Sequence, residues 1–218
     1  VGGPQYRVGS HRQFVLLSRG LASAGYAVMR FDVRGMGDSS GDQRGFESLQ
    51  DDIEAATVAF QQHCPSIQRV VLWGLCDAAS ASILYRGAIE DPRIRGLVLL
   101  NPWLRSQSTL ARAHIKHYYG RRLFQAEFWR KLIFGRLGIA QAVVELIRNA
   151  VKSRMAPASD SLTFQHRMAS AMHRFDGPVL VMLSGEDYIA KEYLEAIKSD
   201  PAWAGIPDKV NVTHTTVA

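Results

Sequence analysis

The sequence predicts an α/β fold: a mostly parallel sheet covered by helices on both faces and interrupted by a helical insertion. Three observations carry this. Short apolar runs alternate with helical periodicity at both ends of the 218 residues. Those runs are continuously apolar, as strands buried on both faces are. From Trp103 to about Arg174 the pattern is helical and strand-free, which reads as a cap inserted after a strand. The organisation expected is a core in two parts, residues 1–103 and 176–218, with a helical cap over 104–175.

The elements follow in order. Val1-Gly2-Gly3-Pro4 reads as the end of a strand running into a Gly-rich loop. Arg12 to Ala24 is helical, with Phe14, Leu17, Leu21 and Ala24 on one face and Gly25 as the stop. Tyr26 to Phe31, β-branched and aromatic, predicts a strand leading into the Gly-rich loop Asp32–Ser39. Leu49 to His63 is a second helix, with Ile53, Ala56 and Phe60 facing inward and Asp51, Asp52 and Glu54 near its positive end. Strand Val70–Trp73, helix Ala78–Ala88 and strand Leu97–Leu100 come next, closed by Asn101-Pro102. After the insertion come a strand over Pro178–Leu183, a helix over Lys191–Lys198 and a last strand over Val210–Val217.

Composition narrows the function classes. A hydrophobic fraction of 47% with 21% charged residues is that of an ordinary soluble globular chain. Two cysteines, Cys64 and Cys76, make no disulfide framework, so a reducing, cytoplasmic setting is expected. No apolar run reaches the length of a membrane span. The net charge of +6 arises mostly in the helical middle. No zinc-ligand spacing or basic recognition helix accompanies it, so it reads as a solvated face rather than a nucleic-acid site.

The segment Gly74-Leu75-Cys76-Asp77-Ala78 carries the chemistry. A strand ends at a glycine, turns through a thiol and continues as a helix, which is the layout of a nucleophile elbow. Small residues two before and two after the nucleophile let strand and helix meet at so sharp a turn. The positive end of the following helix favours the thiolate. The competing reading is an ordinary buried thiol.

Four motifs in order, Gly2-Gly3-Pro4, Asp32-x-Arg34-Gly35-x-Gly37-x-Ser39, the Cys76 elbow and Ser184-Gly185-Glu186-Asp187, resemble the α/β-hydrolase superfamily. More narrowly, residues 1–14 and the Gly-Leu-Cys-Asp-Ala-Ala elbow resemble the exosortase A system-associated hydrolases, bacterial enzymes linked with exopolysaccharide and protein-sorting loci. The resemblance covers the chain outside the insertion. It implies an α/β-hydrolase fold and cleavage of an ester or thioester through Cys76, with no cofactor and with a small-molecule or acyl substrate. It implies an oxyanion hole built from the backbone N–H of Asp77 and one from Gly3 or Gln5, since Pro4 has none. It places Asp187 as the acid that orients the base, with Glu186 turned elsewhere.

The implied base is a histidine after the last strand. Only His214 lies beyond Asp187, and its β-branched surroundings place it within that strand. The base is therefore either His214 or, as expected here, a histidine beyond Ala218. The chain then reads as a fragment that also lacks one or two strands before Val1.

The other polar residues have plainer readings. Asp32, Arg34 and Asp38 are expected to fix the shape of the Gly-rich turn. His11 reads as helix-start packing, and His63 as a partner of its helix's final carbonyls. His114, His117, His166 and His173 fall in the cap, where no metal set is recognisable. Interleaved aromatic and basic residues around His117–Leu132 suit a lid over an acyl substrate or a peripheral membrane contact. The function class competing with an enzyme is a non-catalytic, hydrolase-like binding or scaffold protein of the same pathway.

Overall fold

The computed structural model describes residues 6–104 and 162–217. These belong to one compact unit, and residues 105–161 form a separate unit outside the described residues. The sheet has four parallel strands in the order β1 (Val70–Leu75), β2 (Ile94–Leu100), β3 (Val179–Ser184) and β4 (Val212–Val217). Leu75 pairs with Leu100, Leu100 with Met182, and Met182 with Thr215, so one row crosses the whole sheet near its C-terminal edge. Every strand expected from an apolar run at these positions is present.

The described α-helices are α1 (Gln13–Ser23), α2 (Gln50–His63), α3 (Asp77–Ala88), α4 (Phe164–Arg174) and α5 (Tyr188–Ser199). Successive strand residues face opposite sides. Trp73 meets Phe14 of α1 edge-to-face at 5.4 Å, whereas neighbouring Gly74 lies against the first turn of α3. The sheet is thus covered on both faces. Helix α3 is buried over the seven consecutive residues Ala79–Tyr85, enclosed by the sheet, α2 and α4. From α4, Met168, Ala169, Ala171 and Met172 enter the same core as Leu97, Leu99 and Val181. Each large side chain removed from water there contributes roughly 2 kcal/mol.

One predicted strand is absent. Residues 26–31 carry the right composition but form no ladder. Helix α1 ends as expected, with Gly25 at φ 90° and bonds from Gly25 N to Ala22 O (3.0 Å) and from Tyr26 N to Leu21 O (3.1 Å). Beyond it the segment has no backbone partner among the described residues. A cavity of about 700 Å³, lined by Val28, Phe31, Val71, Trp73, Leu17 and Ile53 among others, separates it from β1. Composition gives a residue its preference for a strand, but only a hydrogen-bonded neighbour makes the strand. Leu17 and Leu21, expected to be buried on α1, are about two-fifths exposed beside the same opening.

A polar triad of buried Tyr85 and Asp91 with half-buried Arg93 ties α3 to the entry of β2. Tyr85 Oη donates to Asp91 Oδ2 (2.7 Å), and the Arg93 side chain donates to both carboxylate oxygens at 2.8 and 2.7 Å. Arg93 holds the Asp91 carboxyl down to about 2, helped by Tyr85 and against burial. A depressed carboxylate stabilises the fold above its unfolded pKa and loses that contribution as pH falls through the folded value. Asp91→Asn should therefore cost about 2 kcal/mol at neutral pH. In chemical denaturation the gap to wild type should close between about pH 4 and pH 2. A gap unchanged over that range would mean the carboxylate's charge contributes nothing.

Candidate active site

The elbow is built as its spacing implies. Cys76 joins β1 to α3 with φ 60° and ψ −120°, a conformation that side-chain-bearing residues rarely adopt. Such strain, of order 1–3 kcal/mol, persists only where the surroundings enforce it. Here they do. Cys76 N donates to Leu100 O (2.9 Å), and Cys76 O accepts from Ala79 N (3.1 Å) and Trp103 N (3.3 Å). Ser80 Oγ adds a 2.6 Å bond to Trp103 O. A Cβ on Gly74 would lie 2.5 Å from Ala79 N and 2.6 Å from the Ala78 carbonyl, which is why only glycine fits there. Cys76 and Cys64 are both half-buried, and neither forms a disulfide among the described residues.

Asp77 is the first residue of α3 and follows Cys76 directly. Gly3 and Gln5, the other expected oxyanion donors, lie outside the described residues. The chain just after them is firmly anchored. Tyr6 Oη donates to Asp38 (2.9 Å), Arg7 N to Asp32 (2.6 Å), and the Arg7 guanidinium pairs with both acids. Arg30 reaches back to Arg7 O (2.8 Å), and Ser39 Oγ bonds Asp32 O (2.7 Å). Arg34 is clasped by Asp52 and Asp51 of α2, which raises its pKa further. Asp32, Arg34 and Asp38 thus shape the Gly-rich loop, as read from the sequence.

Asp187 follows β3 and caps α5. Its Oδ1 accepts from Ile189 N (2.8 Å) and its Oδ2 from Asn101 Nδ2 (2.8 Å). Glu186 is almost fully exposed beside Lys191 and takes no part. Cys76 and Asp187 both lie past the C-terminal ends of parallel strands, where open α/β sheets place their sites. Strands β1 and β3 are two ladder spacings apart, roughly 10 Å.

His214 is not brought to this edge. It pairs with Val181, three residues before the Ser184–Val217 pair at the strand ends, so roughly 10 Å back along the sheet. Its ring lies 6.5 Å from that of Tyr193 on α5, and its Nε2 is buried without a hydrogen-bond partner among the described residues. Burial lowers its pKa, only partly opposed by Asp208. A histidine depressed in this way is held neutral by the fold. Stability should fall as pH drops below about 6.5, where the unfolded chain takes up the proton first. Between pH 7 and pH 5 the melting temperature of wild type should fall relative to that of His214→Leu. Parallel curves would refute that role.

Two further histidines take local roles: Nδ1 of His63 lies 2.8 Å from Ala59 O, and His173 contacts Ala202 O at 3.1 Å. His11 is exposed, and His114 and His117 lie outside the described residues. Among the described residues no cluster suits a metal ion, and no helix is long and apolar enough to cross a membrane. Sequence reasoning missed Asn101. Its sequence signal was faint: an asparagine at a strand end, tolerant of the left-handed region.

Comparison with known proteins agrees with this architecture. The family model of the serine aminopeptidases S33, a hydrolase family, matches residues 8–196. An esterase of Pyrococcus furiosus superposes with a TM-score of 0.60 at 17% identity, over 99% of this chain and 70% of that one. A thermophilic esterase from Thermogutta terrifontis gives 0.50 at 16% identity, over 99% and 78%. At such identities the likeness is one of fold. No curated protein matches by sequence.

Proposed function

Since the chain belongs to the serine aminopeptidase S33 family of α/β-hydrolases, we propose that it hydrolyses an ester or thioester, with Cys76 as the nucleophile. The observation that carries this reading is the enforced left-handed turn at Cys76, at the junction of β1 and α3 and packed against Gly74. Strain of this kind marks positions where geometry serves chemistry.

The mechanism follows from the positions. The Cys76 thiolate, favoured by the positive end of α3, adds to the substrate carbonyl carbon. The developing oxyanion is met by the Asp77 N–H and by one amide of Gly3 or Gln5. The base is a histidine held by Asp187, as the resemblance implies. It takes the thiol proton and returns it to the departing alcohol or thiol. Water, deprotonated by the same base, then cleaves the acyl–Cys76 thioester and releases the acid. No cofactor enters. The sequence motifs support a cytoplasmic, bacterial setting linked with exopolysaccharide and exosortase loci. They also support a small or acyl substrate and a peripheral contact with a membrane surface.

One observation favours the second reading, a non-catalytic ligand-binding or scaffold protein. Both Asp187 oxygens already hold partners, as an acid that only caps α5 would. Alkylation separates the two readings, with Cys64 as the internal comparison. In the protein made from its complete coding sequence, limiting iodoacetamide should modify Cys76 well ahead of Cys64. A Cys76 no faster than Cys64 would leave the second reading.

A further inference from the structure

We propose that Asn101 is a positioning residue that couples the nucleophile's strand to the acid's turn, a role that rests on the reading of Cys76 and Asp187 given above. Strand β2 lies between β1, which leads to Cys76, and β3, which leads to Asp187. The turn that leaves β2, residues 100–103, touches both. On one side Leu100 O accepts from Cys76 N (2.9 Å), and Trp103 N donates to Cys76 O (3.3 Å). On the other, Asn101 bonds β3 and the turn after it through three of its atoms. Its N donates to Met182 O (3.0 Å), its Oδ1 accepts from Ser184 N (2.9 Å), and its Nδ2 donates to Asp187 Oδ2 (2.8 Å).

Two features set this residue apart from an ordinary turn asparagine. It is 4% exposed, and both the oxygen and the nitrogen of its side-chain amide are hydrogen-bonded. It also sits at φ 46°, and among the described residues without glycine's freedom only His11, Arg12, Cys76 and Asn101 have positive φ. Of these four, Cys76 and Asn101 occupy adjacent strand ends of one sheet, joined through Leu100 O. The left-handed turn aims the Asn101 side chain sideways along the sheet edge, onto β3, rather than forward along its own strand. With Ile189 N fixing Oδ1 and Asn101 fixing Oδ2, the Asp187 carboxylate is held in a single orientation. The base would dock on the remaining lone pairs of that fixed plane.

Two substitutions separate positioning from mere packing. Asn101→Gly removes the amide but accepts φ 46° without strain, so the turn survives. Asn101→Asp is isosteric and keeps an acceptor for Ser184 N, but it offers Asp187 a like charge instead of a donor. In the protein made from its complete coding sequence, both variants should lower kcat for an aryl ester. The loss should approach 100-fold, the effect of about 1 Å of misplacement, with KM nearly unchanged. Melting temperatures, with Asn101→Gly as the variant sure to keep the turn, show whether each protein is folded. Wild-type kcat in folded Asn101→Gly or folded Asn101→Asp would overturn the proposal. So would a loss confined to KM. A Cys76→Ala control distinguishes the two failures: if that variant turns over like wild type, the nucleophile reading falls and the role of Asn101 falls with it. If Cys76→Ala is inactive while Asn101→Gly is unimpaired, only the role of Asn101 falls.

Discussion

Cys76→Ala should lower kcat/KM for short-chain aryl esters by on the order of 10³-fold or more, because removing the nucleophile leaves only binding and the oxyanion donors. The same position should also show a conflict between stability and activity. Cys76 holds φ 60° and ψ −120° at a cost that glycine would not incur. Cys76→Gly is therefore expected to raise stability by about 1 kcal/mol while abolishing turnover. Urea denaturation and initial rates on the same preparations test both halves. A destabilised Cys76→Gly would mean that the turn is not strained. An active Cys76→Ala would exclude the thiol as nucleophile.

Gly74→Val carries the second large effect. Its Cβ would press on backbone, Ala79 N at 2.5 Å and the Ala78 carbonyl at 2.6 Å, with no flexible side chain to yield. The first turn of α3 would have to move away from β1. That strains the bonds from Cys76 to Leu100 and Trp103 and displaces the Asp77 amide. A cost of about 3 kcal/mol is expected, the upper part of the range for overpacking, together with loss of turnover. Gly20, which has nothing within 4 Å of an added Cβ, is the control. Gly20→Ala on the exposed side of α1 should leave both properties intact and add helix propensity. Equal behaviour of the two variants by calorimetry and initial rates would show that the close approach at Gly74 is not what shapes the elbow.

The sequence revealed the parts of this site whose cause is local. The elbow was legible because its steric demand falls on neighbours at fixed spacing, Gly74 and Ala78 about Cys76. Strands β2 and β3 were legible because Leu97–Leu100 and Val179–Leu183 are continuous apolar runs, as doubly covered strands must be. Residues 26–31 are apolar too, apart from Arg30, yet pairing is a property of two segments, and no single run reports its partner. Asn101 was hidden for the same reason: its bond to Asp187 spans 86 positions in sequence. Likewise Asp91 lies six residues from Tyr85, but what makes the pair costly to break is its burial, which the tertiary fold alone supplies. His214 looked like a base only by its order in the chain, and strand register placed it three residues short of the edge.

The central claim is that Cys76 becomes acylated during turnover. The direct measurement is rapid mixing of the protein made from its complete coding sequence with an activated acetyl ester, acid quenching, and peptide mass spectrometry. The account predicts one acetyl group on the peptide containing Cys76, released by hydroxylamine as a thioester is and absent from Cys76→Ala. Turnover with no acyl group on Cys76, or with the acyl group on another residue, would contradict it.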